Sequence, residues 1–302
     1  MTNRRCKNNG FTLIEMILVI VLLSITGMAA VGLLRTSTEI FIDVSNRDEL
    51  ISSVRYSVER LNREVRNALP NSVRVYNLLK GSRVEDLAQE DLVKCLEYIP
   101  TIVATVYLDV PVIPEVADRR LTVISFDDTL LKGEVHAVVN PLMAEQVYDT
   151  MADPIAGIAA SVSTRRYQLD LENGASKIID NLWTMNLVDN AHFAENSPTK
   201  RLYFVNPPVA YCASAGQLIR YTSYGFMGVP FNENGEPLLD ANGEVLPGAG
   251  VLMAEGIEVE PTAFSVRESS LFSNTLIDLT LQFSKNSEKL TFFNQIQVLN
   301  VP

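Results

Sequence analysis

The first seventy residues divide into distinct parts by the pattern of their apolar and charged positions. Residues 11–34 contain one charged side chain, Glu15. As a helix this run spans about 36 Å, enough to cross a hydrocarbon core of about 30 Å. Residues 35–68 contain no proline or glycine, and their apolar side chains recur every three or four positions. The pattern predicts one helix over residues 11–68, apolar all round in its first half and amphipathic in its second.

The amphipathic half predicts a face packed on the rest of the chain. Its apolar stripe consists of Ile51, Val54, Val58, Leu61 and Val65. The other faces carry Arg55, Glu59, Arg60, Arg63, Glu64 and Arg66. We interpret the stripe as an intramolecular contact, with a site for a partner helix as the alternative. Pro70 ends the helix, because the residue before a proline is disfavoured in the helical region.

The charges around the apolar run predict its orientation. Three basic residues and no acid precede it, Arg4, Arg5 and Lys7, although the whole chain has a net charge of -11. A basic flank predicts a cytoplasmic N-terminus, with the following domain on the outer side of the membrane. A secretory signal fits poorly, since its apolar region has about 7–15 residues and ends at a small-residue cleavage site. The acidic balance argues against a general nucleic-acid binder.

Glu15 is not explained by a plain membrane anchor, because a lone carboxylate in a bilayer costs about 2.5–3.5 kcal/mol on insertion scales. The segment from Gly10 to Glu15, GFTLIE, together with the basic leader, resembles the processing box of type IV prepilins and type II secretion pseudopilins. The resemblance implies that a prepilin peptidase removes the leader peptide, residues 1–10, between Gly10 and Phe11. It also implies N-methylation of Phe11 and a role for Glu15 in subunit assembly. We expect the Glu15 carboxylate of one subunit to pair with the Phe11 amine of its neighbour.

Beyond Pro70 the pattern changes to short β-rich runs separated by turn residues. Strands are predicted at residues 72–76, 121–126, 134–139, 166–171, 201–205 and 218–224, and a short helix within residues 84–98. Alternation in residues 275–283, followed by a second run at 290–301, predicts a hairpin.

The predicted fold is therefore α+β and type IV pilin-like, with a long N-terminal helix packed on a β-rich globular domain. Residues 11–34 form the transmembrane or filament-core helix, residues 35–69 its amphipathic continuation, and residues 70–302 a periplasmic domain. The resemblance implies an inner-membrane, single-pass protein that later enters a pilus or pseudopilus.

The second half of the chain is similar to a narrower group within this superfamily. Ser197-Pro198 and residues 201–204, 208–212 and 297–302 resemble the MshO-like minor pseudopilins of MSHA pilus systems, which are similar to J-type minor pseudopilins and PilW-type minor pilins. The resemblance implies a minor subunit that takes part in pilus assembly, in a tip or priming complex. Implied partners are the prepilin peptidase, other major and minor pilins, and the inner-membrane assembly platform.

Three alternatives to that function stay open at the level of sequence. The first is a tip adhesin whose residues 225–250 bind a sugar or another surface. The second is a J-type minor pseudopilin of a type II secretion system. The third is an anchored periplasmic enzyme or sensor, which the absence of a catalytic constellation disfavours.

We expect no enzymatic activity, no cofactor and no metal. His136 and His192 lack a second ligand at metal-binding spacing, and Asp127-Asp128 is interpreted as a solvated turn. Trp183 is assigned to a core or a partner face in preference to a ligand groove. Within residues 225–250, the predicted exposed loop, Asp240, Asn242 and Glu244 alternate as calcium ligands do. The EF-hand spacing is absent, so hairpin turns are preferred.

Two cysteines remain once the leader, with Cys6, is removed. An even pair in an exported domain predicts one disulfide between Cys95 and Cys212. Two unrelated buried thiols are the alternative.

Overall fold

The computed structural model describes residues 12–79, 92–148, 165–172, 176–179, 181–214, 216–226, 250–267, 274–285 and 288–298. The chain divides into two units, Met1–Leu50 and Ile51–Pro302.

One long helix, α1 (Leu13–Arg66), runs through the first unit and contributes its last turns to the second. The predicted helix ended at residue 68, two residues later. The last turn tightens instead, since the N–H groups of Asn67 and Ala68 donate to the carbonyls of Glu64 and Val65, three residues back, at 3.1 and 3.0 Å. At the other end, Phe11 lies outside the described residues.

Apart from two short 3-10 helices, Asp128–Leu130 and Ala144–Gln146, the regular structure in the rest of the described second unit consists of antiparallel strands. In chain order these are β1 (Arg74–Leu79), β2 (Leu92–Tyr98), β3 (Thr101–Asp109), β4 (Asp118–Ile124), β5 (His136–Val139), β6 (Arg166–Gln168), β7 (Ser176–Ile179), β8 (Leu182–Ala191), β9 (Arg201–Val205), β10 (Val209–Ser214), β11 (Gln217–Tyr221), β12 (Val251–Glu255), β13 (Ile257–Arg267), β14 (Thr275–Lys285) and β15 (Glu288–Val298).

These strands form three sheets. A five-stranded sheet has the order β1-β2-β10-β11-β12, and a seven-stranded sheet the order β6-β5-β9-β3-β4-β8-β7. The last three strands form a separate sheet, β13-β14-β15. A long N-terminal helix with a β-rich C-terminal domain confirms the predicted α+β, pilin-like fold class.

The hairpin at the end of the chain is confirmed, with a register from Thr275 opposite Val298 to Lys285 opposite Glu288. Its inward side chains alternate with outward ones, and Ile277, Leu279, Leu281 and Phe283 are buried. Strand β9 coincides with its prediction. Strands β1, β4, β5, β6 and β11 differ from theirs by a few residues at one or both ends.

The short helix predicted within residues 84–98 is wrong where the structure describes the chain, since residues 92–98 form β2. Residues 95–98 are buried on both faces, so β2 has no period-two alternation to distinguish it from a buried helix. The same reason explains why β10, buried at every position, was not predicted. Strands β3, β7, β8, β12 and β13 were also not predicted.

The apolar stripe of α1 belongs to the second unit and is buried within it, as the predicted intramolecular contact requires. Val54, Leu61 and Val65 are fully buried, and Ile51 and Val58 are partly buried. On the same face, the Ser57 hydroxyl donates to the carbonyl of Met253 in β12 at 2.5 Å. Residues 51–66 are therefore held by apolar burial and by polar contacts to the strands.

Cys95 and Cys212 are bonded to each other through their Sγ atoms. They lie directly opposite in the register of β2 and β10, the second and third strands of the five-stranded sheet. Both are buried, in a cluster with Ala210 and Tyr221. The bond joins positions 117 residues apart, so it restricts the unfolded chain strongly.

Replacing both cysteines by alanine (C95A/C212A) should lower the free energy of unfolding by about 4–5 kcal/mol, the chain-entropy value for a loop of this size. Urea unfolding of the full chain in detergent, without reductant, measures the change. The control is Cys6→Ala, which removes the thiol of the predicted leader and should leave the midpoint unchanged. Equal midpoints for the double variant and the parent chain would contradict this role.

Candidate assembly site on the N-terminal helix

Glu15 lies in the first turn of α1. The carbonyl of Thr12, the last residue before the helix, accepts hydrogen bonds from the backbone N–H groups of Glu15 and Met16 at 3.1 and 3.3 Å. A carboxylate in the first turn of a helix is favoured by the helix dipole by about 0.3–1 kcal/mol. That is less than the about 2.5–3.5 kcal/mol cost of a charge inside a bilayer. The helix alone therefore does not account for an acid at this position.

The side chains around Glu15 are apolar and exposed. Leu13 is 80% exposed and Ile14 67%, and exposure continues along all described positions to residue 34. Among the described residues, α1 is the one helix long and apolar enough to cross a membrane. No residue in its most apolar stretch is buried. This apolar surface is suited to lipid or to the helices of other subunits.

Glu15 is itself exposed, and its carboxylate contacts no hydrogen-bond donor within the described residues. Gly10 and Phe11, the predicted processing site, lie outside them. The pairing of Glu15 with a neighbouring Phe11 amine therefore stays a prediction.

A second carboxylate, Glu64, differs from Glu15 because it is partly buried and hydrogen-bonded by side chains of the same chain. Its oxygens accept hydrogen bonds from four side chains: Arg60 at 2.9 Å, Arg220 at 2.7 Å, Tyr98 at 2.8 Å and Tyr211 at 2.9 Å. Tyr98, Tyr211 and Arg220 belong to adjacent strands of the five-stranded sheet, β2, β10 and β11. Glu64 therefore attaches the end of α1 to this sheet.

Arg60 and Glu64 lie off the apolar stripe, as the sequence indicates, but they are partly buried. Their side chains are only 26% and 20% exposed. Glu64 lies three residues beyond the buried Leu61, at the border of the apolar stripe, so only its partners distinguish it from a surface acid. Those partners are 34 to 156 residues away in sequence, apart from Arg60, and no local pattern reveals them.

The contacts of Glu64 change its acidity. Burial by itself raises the pKa of Glu64, but the hydrogen bonds from Arg60, Arg220 and Tyr98 outweigh it and lower the pKa to about 2. Burial also raises the pKa of Tyr98 and of Tyr211, and the Glu64 carboxylate adds to both effects. The cluster is therefore an ionised acid held by two arginines and two neutral tyrosines over the ordinary pH range.

A third carboxylate, Glu97 in β2, is completely buried. It forms an ion pair with Arg74 of β1 and accepts a hydrogen bond from the Tyr224 hydroxyl at 2.5 Å. Burial raises the pKa of Glu97 more than Arg74 and Tyr224 lower it. We assign Glu97 a role within the sheet, since it has no exposed surface for a partner.

Both histidines form hydrogen bonds within the protein, His136 through its side chain and His192 through its backbone. Arg166 donates to Nδ1 of the buried His136 at 2.8 Å, so Nε2 carries the proton and donates to Glu134 at 2.7 Å. The backbone N–H and carbonyl of His192 both contact the Tyr167 hydroxyl, at 3.0 Å. Within the part of the chain that the structure describes, no group of three His, Cys, Asp or Glu side chains is placed to hold a metal ion.

The remaining candidates lie in turns, in the core or outside the described residues. Asp127 accepts from the N–H and hydroxyl of Thr129 at 3.1 and 2.6 Å, which fits the predicted exposed turn. Trp183 packs against Phe126, with ring centroids 5.5 Å apart, beside the core of the seven-stranded sheet. Asp240, Asn242 and Glu244, for which hairpin turns are preferred to calcium binding, lie outside the described residues.

Comparison with known families adds one finding. Residues 5–31 match the family described as the prokaryotic N-terminal methylation motif. The motif indicates a type IV pilin- or pseudopilin-like protein. It implies processing by a prepilin peptidase and a pilin assembly context, and it suggests a structural protein, not an enzyme. No curated protein and no solved structure matches the chain.

Replacing Glu64 by glutamine should lower the free energy of unfolding at pH 7 by up to about 3 kcal/mol, the equivalent of the pKa shift. The folded pKa, about 2, is below the ordinary value of 4.5, so this contribution is complete above pH 4.5. It disappears as pH falls from 4.5 toward 2. The difference between parent and Glu64→Gln should therefore shrink over that range in urea unfolding of the full chain. Glu59→Gln, an exposed change on the same helix, is the control. A pH-independent difference would contradict the ionised cluster.

Proposed function

We propose that the chain is a minor subunit of a type IV, MSHA-type pilus and that it takes part in pilus assembly, in a tip or priming complex. The observation that carries the proposal is a carboxylate, Glu15, in the first turn of an exposed apolar helix whose beginning lies within the methylation motif at residues 5–31. A helix with this surface provides both a membrane anchor and a packing surface for other pilin helices.

The proposed pathway begins in the inner membrane, with a cytoplasmic N-terminus and a periplasmic C-terminal domain. Prepilin peptidase cleaves between Gly10 and Phe11, and the new amine at Phe11 is methylated. The apolar part of α1 then leaves the lipid and packs against the helices of neighbouring subunits. The assembly platform and the major and minor pilins are the partners in this step.

The proposed role of Glu15 is electrostatic. Two opposite charges about 4 Å apart attract by about 4 kcal/mol at an effective dielectric constant of 20. That is comparable to the cost of placing the carboxylate in apolar surroundings. Pairing between the Glu15 carboxylate of an incoming subunit and the Phe11 amine of its neighbour would offset the cost at one axial position. The pair would therefore set the register between adjacent helices.

The narrower assignment to an MSHA-type minor subunit is supported by the resemblances in residues 197–212 and at the C-terminus. Several of these residues are buried in the sheets: Leu202 and Phe204 in β9, and Ala210, Tyr211 and Cys212 in β10. The resemblance therefore concerns the core of the globular part and supports a shared fold more directly than a shared binding surface. The adhesin alternative depends on residues 225–250, of which 227–249 lie outside the described residues.

Replacing Glu15 by valine should leave membrane insertion and leader cleavage intact but reduce incorporation into sheared pili by at least about tenfold. A loss of only about 1.4 kcal/mol at the helix contact suffices for that factor. Immunoblots of membrane and pilus fractions, normalised to the amount of processed protein, measure it.

The matched control is Glu39→Val, which removes another acid from the same helix. Glu39 forms an exposed ion pair with Arg35 at 3.0 Å, and exposed pairs contribute about 0–1 kcal/mol. This variant should enter pili at the parent level. Normal incorporation of Glu15→Val, or equal defects in both variants, would refute the proposed pairing.

A further inference from the structure

Strand β15 lies at the edge of the three-stranded sheet. It pairs with β14 over eleven consecutive positions without a register shift. Among the described residues, no strand pairs with its other side. A row of backbone N–H and C=O groups along this side is therefore available to an additional strand.

The outward face of this sheet has one large exposed apolar side chain within the described residues. Phe293 in β15 is 78% exposed, whereas its neighbours on this face are polar. These neighbours are engaged with one another: Gln295 donates to Asp278 at 2.7 Å, and Arg267 donates to the same carboxylate at 3.1 Å. The polar groups are thus held in place beside the ring and leave it uncovered.

The opposite face of β15 is anchored. Ile296 and Val298 are each 1% exposed, and Asn294 donates a hydrogen bond to Asn62 of α1. Their burial fixes which side chains of β15 point outward, because a shift by one residue would move the buried set to solvent. The free edge and Phe293 are therefore presented in a defined register.

This edge lacks the features that normally prevent strand addition. Residues 290–298, LTFFNQIQV, contain no charged residue and no proline. Exposed edges in folded proteins usually carry a lysine, a proline or a bulge that blocks an incoming strand. The only charged residues of β15, Glu288 and Lys289, lie at its beginning.

We infer that the β15 edge, with Phe293 at its centre, is a docking surface for an uncharged extended strand of another membrane-anchored subunit of the same fibre. The inference rests on the proposed function. Backbone pairing along the edge would supply the alignment, and an apolar side chain of the partner would cover the Phe293 ring.

The extent of the surface determines the kind of partner. Nine residues of strand are about 30 Å long, and one such edge covers less than the about 800 Å² per partner of a standard stable interface. A partner already held in the same membrane by its own helix needs less contact area, because tethering raises its effective concentration. A second copy of this chain is disfavoured, since each processed copy, without Arg4, Arg5 and Lys7, has 25 - 3 = 22 basic against 36 acidic side chains, a net charge of -14.

Photo-crosslinking of the full chain in cells that produce the complete pilus system tests this surface. A photoreactive benzoylphenylalanine replaces Phe293, and in a control chain it replaces Ser265. Ser265 is exposed on β13, two strands from the free edge of the same sheet. We expect a crosslink from position 293, and not from position 265, to a protein that itself carries an N-terminal methylation motif and a membrane helix.

A pair of charge variants completes the test. Phe293→Lys should reduce co-purification of the crosslinked subunit by at least about tenfold, as for other central aromatic contacts, whereas Ser265→Lys should retain it. Because Phe293 is exposed, both variants should keep the thermal midpoint of the parent chain. No crosslink at position 293, equal crosslinking at both positions, or a crosslink to a second copy or to a protein without a membrane helix would overturn the inference. A failure of the proposed function would be detected by a different experiment, because Glu15→Val would then enter pili at the normal level.

Discussion

The first half of α1 has an apolar surface that the described residues of the chain do not cover. From residue 13 to residue 34 its side chains are exposed, among them many leucines, isoleucines and valines. Complete burial of one such side chain contributes about 1.5–3 kcal/mol, so their sum strongly favours transfer out of water. Lipid and the helices of other subunits are the two environments that satisfy this constraint. A membrane-anchored, pilin-like protein is the interpretation that includes both, and it agrees with the methylation motif at residues 5–31.

Three glutamates illustrate how the chain accommodates acids in apolar surroundings. Glu64 is ionised and held by two arginines and two tyrosines. Glu97 is fully buried with Arg74 and Tyr224. Glu15 has no side-chain hydrogen bond within the described residues, although it lies in the most apolar part of the chain. Two of the acids are thus satisfied internally, and under the proposed function the third would be paired with a neighbouring subunit. This contrast is the physical reason to place the assembly contact at Glu15.

The elements with a strong local pattern could be predicted from sequence. The long helix, its buried stripe and the C-terminal hairpin each have a clear period, and the six-residue segment GFTLIE, residues 10–15, indicated a type IV pilin-like protein. Strands β2 and β10 were not predicted because side chains on both of their faces are buried, which removes the alternation. The Glu64 cluster was not predicted because Tyr98, Tyr211 and Arg220 are brought to the helix by the sheet topology. Likewise, Phe293 is distinguished from a core residue only by its place on an outward face at a free edge.

The proposed processing can be tested by intact-mass measurement of the full-length protein extracted from membranes. The protein should be produced together with a prepilin peptidase. We expect a chain that lacks Met1–Gly10, begins at Phe11 and carries one additional methyl group. A mature protein that retains Met1–Gly10 would contradict the proposal, because the amine that Glu15 is proposed to meet would then not exist at Phe11.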